Sequence, residues 1–75
     1  MAVGFQARNT MQIQVNQTTL ELPDEARISD ALTAFGATPP YAVALNGRFV
    51  ARGRHAEARL QAGDRLEVVQ PVAGG

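Results

Sequence analysis

The sequence predicts an α+β domain in which one short helix covers one face of a mixed sheet of four to five strands. Two segments indicate β-hairpins: residues 11–22 alternate apolar and polar residues around a tight turn, and residues 41–50 hold two short strands joined by Asn46-Gly47. Between them, residues 28–36 repeat apolar residues at helical spacing. A single helix can bury its apolar stripe only against a sheet face, so helix and hairpins belong to one core.

The first hairpin begins with the segment MQIQVN, residues 11–16, in which every second residue is apolar, a pattern typical of a half-buried strand. Residues 16–17 reverse the chain, and residues 19–22 return as the second strand. Pro23 and Asp24 close the hairpin. The residues expected to face inward are Met11, Ile13, Val15, Leu20 and Leu22.

The helix is predicted within ISDALTAFG, residues 28–36. Gly36 stands where helices commonly end in a left-handed residue, and Pro39-Pro40 prevents continuation. The first residue of the helix is left open, because neither Arg27 nor Ile28 is a favoured N-cap and a start at Ser29 would leave only two turns. The apolar stripe consists of Ile28, Ala31, Leu32 and Phe35.

The second hairpin is centred on Asn46-Gly47, the strongest short hairpin signal, with strands at residues 41–45 and 48–50. After a crossover helix, the next strand is expected to run in the same direction as the strand before the helix. Alternation directs one set of side chains inward, Val43 and Leu45, and the other outward, Ala42 and Ala44.

Residues 51–59 are polar and irregular, with one helical turn considered at residues 55–58 and His55 expected on the surface. A turn at Gly63 leads into the last strand, residues 65–70, which we place centrally beside the first because it is among the most apolar. This order of elements is the β-grasp, or ubiquitin-like, arrangement. The predicted core is Ile13, Val15, Leu20, Leu22, Ile28, Leu32, Phe35, Val43, Leu45, Leu66 and Val68.

Length and composition limit the chain to one small domain. It has 75 residues, 45% of them hydrophobic, no cysteine and one histidine, so an apolar core must stabilise it and no metal site is expected. Residues 1–10 show no periodicity and are expected to be a disordered extension. The β-grasp domain then covers residues 11–70, and residues 71–75 form a flexible tail.

Charge and hydropathy exclude several classes of function. The formal net charge is zero, so the attraction that nucleic-acid binding needs is missing. No apolar run approaches the roughly 18 residues of a membrane span, and the N-terminus lacks signal-peptide features, so we expect a cytoplasmic protein. Acidic residues crowd positions 21–30 and arginines crowd 48–59. They form either two solvated faces or a dipolar surface that orients the domain on an acidic partner.

The chain ends in VQPVAGG, residues 69–75. Pro71 has no N–H to continue a β-ladder, and the final glycines, Gly74 and Gly75, leave the backbone without side chains. Such an ending is either a frayed terminus or an arm whose terminal carboxylate reacts. An enzyme is disfavoured, because the sequence offers no nucleophile–base pair and no phosphate-binding loop.

From Met11 onward the chain resembles the ThiS family of sulfur carrier proteins in thiamin biosynthesis. The matching segments, in order, are MQIQVN, LPDEARISDALTAFG, YAVALNGRFVARGRHAEARLQAGDRLEVV and the terminal PVAGG. The first ten residues have no place in the resemblance, and Ala51 departs from it where proline is common.

The resemblance implies a protein co-substrate rather than an enzyme. Its Gly75 carboxylate would be adenylated by a ThiF-like adenylyltransferase using ATP, then converted to a thiocarboxylate with sulfur from a donor protein. A ThiG-like thiazole synthase would receive the sulfur. Gly74 and Gly75 carry over as functional residues, and no cofactor is expected on the chain itself. We further expect the partner to contact small or apolar residues near the tail, namely Ala42, Ala44, Val69 and Pro71.

Two alternatives stay open. The small subunit of molybdopterin synthase shares the β-grasp fold, the thiocarboxylate and a similar ending, although GRFVARGRHAEARL, residues 47–60, resembles ThiS better. The second alternative is a β-grasp binding module that carries no reactive terminus.

Overall fold

Five strands and one α-helix form the fold in the computed structural model, which describes residues 9–71. The α+β prediction is confirmed. Of the expected disordered extension, residues 1–10, only positions 9 and 10 lie within the described residues. Of the expected flexible tail, residues 71–75, only Pro71 does. The elements are β1 (Thr10–Val15), β2 (Thr18–Pro23), α1 (Ile28–Phe35), β3 (Ala42–Leu45), β4 (Arg48–Val50), a 3₁₀ turn (Arg52–Arg54) and β5 (Arg65–Val69).

The strand order is β2-β1-β5-β3-β4, so the last strand is the central one, as predicted. β5 runs parallel to β1 and antiparallel to β3, and each hairpin is antiparallel. β3 therefore runs in the same direction as β2, as expected across a crossover helix. With α1 covering one face, this mixed sheet is a β-grasp fold.

The first hairpin is longer than the alternation indicated. β1 begins at Thr10, one residue before the predicted domain boundary, and Thr10 pairs with Pro23 at the end of β2. Proline is tolerated there because β2 is an edge strand, where a missing N–H need not break a ladder bond. The Thr10 hydroxyl also donates to Glu21 Oε2 at 2.8 Å.

The structure decides where the helix begins. Arg27 is the N-cap, with extended backbone angles, and its N–H donates to the Asp30 carboxylate at 2.8 Å. Gly36 ends the helix in the left-handed conformation at φ 86°, as predicted.

Carbonyl groups from a distant loop accept two of the hydrogen bonds at the start of the helix. The Ile28 N–H donates to the Ala58 carbonyl at 3.0 Å, and the Ser29 N–H donates to the His55 carbonyl at 2.9 Å. These tertiary bonds satisfy two of the first-turn N–H donors that have no partner within the helix. The helix can therefore begin at a residue that sequence preferences disfavour.

The core lies between α1 and the sheet, and most of its predicted members are buried. Ala26 and Leu60 are buried as well, although the sequence did not single them out. Three predicted core residues are only half-buried, because β2 lies at an edge and a helix of eight residues is too short to cover the whole sheet face. These three are Leu20, Phe35 and Leu45.

His55 is buried, with 6% of its surface exposed, so the expectation of a solvated histidine was wrong. Its Nε2–H donates to the Val50 carbonyl at 3.0 Å, and its ring stacks on Tyr41 with centroids 6.1 Å apart. A buried ring nitrogen is tolerated when it has such a partner. The ring thereby fastens the loop after β4 to the end of the sheet.

Substituting Leu32 with alanine is expected to lower the free energy of unfolding by about 2–5 kcal/mol, because its buried side chain leaves a cavity. Phe35→Ala should cost less, since the Phe35 side chain is only partly buried. Thr33→Ala, on the exposed side of the helix, should stay within about 0.5 kcal/mol of wild type. Urea unfolding measures all three. A larger loss from Phe35→Ala than from Leu32→Ala would contradict this packing.

Candidate functional site

β5 leads directly to the C-terminal tail. Pro71 is the last described residue and is exposed, while the predicted functional residues Gly74 and Gly75 lie outside the described part of the chain. The structure therefore shows the segment from which the tail extends. That segment is positioned by contacts on both sides of β5.

Asn16, in the turn between β1 and β2, contacts β5 on one side. It has φ 55°, a left-handed conformation that asparagine tolerates better than most residues. Its backbone N–H donates to the Leu66 carbonyl at 2.8 Å. Its side-chain oxygen accepts from the Val68 N–H at 2.9 Å, and its side-chain nitrogen donates to the Val68 carbonyl at 3.3 Å. Since β1 ends at Val15, this carboxamide takes the place of the next peptide group in the ladder.

Asn46 contacts the other side of β5 from the turn between β3 and β4. It also has a left-handed backbone, at φ 50°. Its backbone N–H donates to the Arg65 carbonyl at 2.8 Å, and its side-chain oxygen accepts from the Arg65 N–H at 3.0 Å. Its side-chain nitrogen donates to Asp64 at 3.0 Å. The two asparagines hold β5 from both hairpin turns and so fix its register.

Gln70 forms the last described attachment before the tail. Its side-chain nitrogen donates to the Thr38 carbonyl at 2.8 Å, in the loop between α1 and β3. Pro71 follows and has no N–H to donate. The last described side-chain attachment therefore lies at Gln70, one residue before the tail.

An apolar surface lies beside this point, on the sheet face opposite α1. Ala42 pairs with Val69, and Ala44 pairs with both Glu67 and Phe49, which places these side chains on one face. Val69 is 64% exposed and Phe49 is 73% exposed. We call Ala42, Ala44, Phe49 and Val69 the outer apolar surface.

Ala42, Ala44 and Val69 were expected on this face from the sequence, whereas Phe49 was not. The alternation in GRFV carried that information, because an inward Val50 implies an outward Phe49. That these residues bind a partner stays a prediction.

A groove of about 620 Å³ lies at the far end of β5, between the two hairpin turns. Asn16 and Asn46 line it, but their side chains already bond to β5 and its preceding turn. Within residues 9–71, no group of histidine and acidic side chains is arranged to hold a metal ion. No helix in that range is long and apolar enough to cross a membrane. We take as the candidate site the end of β5 with the outer apolar surface, where exposed apolar side chains lie next to Pro71.

Comparison with protein families finds that the model of the ThiS family matches residues 6–75. The chain belongs to the ThiS family. It is thus a member of a family of ubiquitin-like sulfur carriers, as the resemblance implied. The match starts at residue 6, so it includes part of the N-terminal segment that the sequence analysis placed outside the resemblance.

Among solved structures, the chain is similar to the thiamine biosynthesis protein ThiS from Geobacter metallireducens. The two share 22% sequence identity and superpose with a TM-score of 0.70, over 87% of this chain and 100% of the other. At this identity the likeness supports the fold. A comparison with curated protein sequences found no match.

Replacing Asn16 with glycine should lower the free energy of unfolding by about 1–3 kcal/mol, because the Val68 N–H loses its partner while the left-handed backbone stays accessible. Asn16→Asp keeps the acceptor for that N–H but loses the donor to the Val68 carbonyl, so we expect a smaller loss. Urea unfolding and hydrogen exchange of the Val68 amide measure both effects. Unchanged protection of that amide in Asn16→Gly would contradict the assigned contact.

Proposed function

We propose that this protein carries sulfur for thiamin biosynthesis as a thiocarboxylate on Gly75. A ThiF-like adenylyltransferase joins the Gly75 carboxylate to AMP, using ATP and releasing pyrophosphate. Sulfur from a donor protein displaces AMP, and a ThiG-like thiazole synthase takes the sulfur in the cytoplasm. The observation that carries the proposal is membership of the ThiS family, together with a firmly held β5 that leads into the glycine-ended tail.

The chemistry explains why the terminus must first be activated. A carboxylate is a poor acyl donor, and the mixed anhydride with AMP supplies a leaving group that a sulfur nucleophile can displace. The activated acyl group would hydrolyse in water, so the reaction requires an enclosed site. In this scheme the adenylyltransferase uses ATP, and the carrier contributes its terminus as a co-substrate.

The body and the tail have different tasks in this scheme. Asn16 and Asn46 fix β5, so the tail starts from a defined place. Gly74 and Gly75 have no Cβ, which lets the backbone pass a narrow channel in the partner. A rigid body with a slender arm thus presents one carboxylate to an active site on another protein.

The outer apolar surface is the proposed contact for the adenylyltransferase. Val69 lies two residues before Pro71, so a protein that receives the tail must approach this face closely. Exposed apolar side chains at such a position can be buried on binding. Phe49 offers the largest side chain of the four and is the expected anchor.

The family match favours thiamin over molybdopterin biosynthesis, and no contact within residues 9–71 favours the second. Deleting the gene and supplying either thiazole or molybdopterin distinguishes the two pathways. Rescue by thiazole is the expected result. A binding module without a reactive terminus would give no ATP-dependent pyrophosphate release with the adenylyltransferase.

Val69→Asp should reduce activation, because a carboxylate at a contact surface must be desolvated when the partner binds. The side chain is exposed in the free protein, so the thermal midpoint should change little. Thr19 is an exposed residue of β2, so Thr19→Asp is the matched control and should be activated normally. Pyrophosphate release at varied carrier concentration measures the effect. Wild-type kinetics for Val69→Asp would show that this surface does not contact the adenylyltransferase.

Adding one residue after Gly75, or deleting Gly75, should abolish adenylation. One residue lengthens the chain by about 3.5 Å, and displacements of about 1 Å can already cost roughly a hundredfold in rate. A tag before residue 1 is the control and should be tolerated. Pyrophosphate release reports adenylation, and intact mass reports exchange of one oxygen for sulfur. Normal activation of the extended or shortened chain would show that the terminus does not react.

A further inference from the structure

The charges of the domain are separated across the sheet. β2 and β4 are the two opposite edges. Glu21 lies in β2 and two more acids, Asp24 and Glu25, follow it, whereas Arg48 lies in β4 and the 3₁₀ turn Arg52–Arg54 follows. β5, which carries the tail, lies between the acidic and the basic edge.

Arg52 and Arg54 lie at the end of the sheet from which the tail leaves. β4 ends at Val50, which pairs with Val43, next to the pair Ala42–Val69 at the end of β5. The 3₁₀ turn follows β4 immediately. The far end of the sheet carries the other two sheet arginines, because Arg48 pairs with Leu45 and Arg65 begins β5.

The turn presents both arginines in a defined position. The Arg54 N–H donates to the Ala51 carbonyl at 2.8 Å, and the His55 N–H donates to the Arg52 carbonyl at 3.2 Å. The buried His55 ring then fixes the turn to the sheet through Val50 and Tyr41. Both arginine side chains are exposed, and neither forms an ion pair with another residue of the described range 9–71.

The short tail limits how far the body can be from the partner's active site. In the proposed function Gly75 reacts, and it lies four residues after Pro71, so at full extension the two are at most about 14 Å apart. The body must therefore dock beside the mouth of the channel that receives Gly75. Charges are screened over about 8 Å at physiological salt, so arginines at the tail end of the sheet act on the partner far more than those at the other end.

We propose that Arg52 and Arg54 contact an acidic surface of the adenylyltransferase beside the entrance to its active site. This inference rests on the proposed function and adds to it the chemistry of the partner surface. Charge complementarity of this kind chiefly accelerates association and orients the encounter. The 3₁₀ turn Arg52–Arg54, which we call the basic turn, thus directs the tail toward the channel.

The test compares two double variants with the same change in net charge. Arg52→Gln with Arg54→Gln removes two charges at the end of the sheet where β5 ends. Arg48→Gln with Arg65→Gln removes two charges at the opposite end, where β5 begins. Pyrophosphate release with the cognate adenylyltransferase is measured at low and at high salt. At low salt we expect kcat/KM of the first variant to fall about tenfold or more, with kcat unchanged. The second variant should stay within about twofold of wild type, and high salt should close the difference.

Thermal unfolding shows whether each variant is folded, which we expect because all four side chains are exposed. If kcat/KM fell equally in both variants, net charge alone would explain the effect, and the inference would be overturned. No loss in the first variant would also overturn it. In both of those cases wild-type activation still supports the proposed function. Failure of the wild-type chain to release pyrophosphate would instead reject the proposed function, and the inference with it.

Discussion

The pairing of β5 between β1 and β3 is the constraint on which the rest of the structure depends. β5 lies between the two hairpins and joins them into one sheet. Its parallel pairing with β1 covers only two residue pairs, Gln14–Arg65 and Val15–Leu66. The Asn16 side chain extends this contact to Val68, and Asn46 secures the opposite side. Side-chain amides therefore complete a ladder that the backbone alone leaves short.

The loop between β4 and β5 completes the second half of the fold. It supplies carbonyl acceptors to the first turn of α1 and fastens itself to the sheet through His55. Leu60 from the same segment joins the core. A loop that looks polar in sequence is thus a structural part of the domain. It also contains Arg52 and Arg54, which follow β4 at the end of the sheet where β5 ends.

The proposed function depends on a firmly held strand that leads into a glycine-ended tail. Reaction at a terminal carboxylate inside another protein requires that the body dock reproducibly, because a tail of a few residues cannot compensate for a misplaced body. The described contacts fix the position of β5 as far as Gln70. The outer apolar surface and the basic turn lie around that point. In the proposed function, the first would contribute apolar contact area to the partner and the second would contribute positive charge.

Sequence alone determined the elements whose signals are local. The period-two alternation, the helical stripe ending at Gly36 and the Asn46-Gly47 turn each depend on neighbouring residues, so both hairpins, the helix and most of the core were predictable. The ThiS resemblance and the glycine ending likewise required no coordinates. Only the tertiary structure decided the start of the helix, the burial of His55 and the contact of Asn16 with Val68. Each of these depends on a hydrogen-bond partner far away in the chain, which no local pattern specifies.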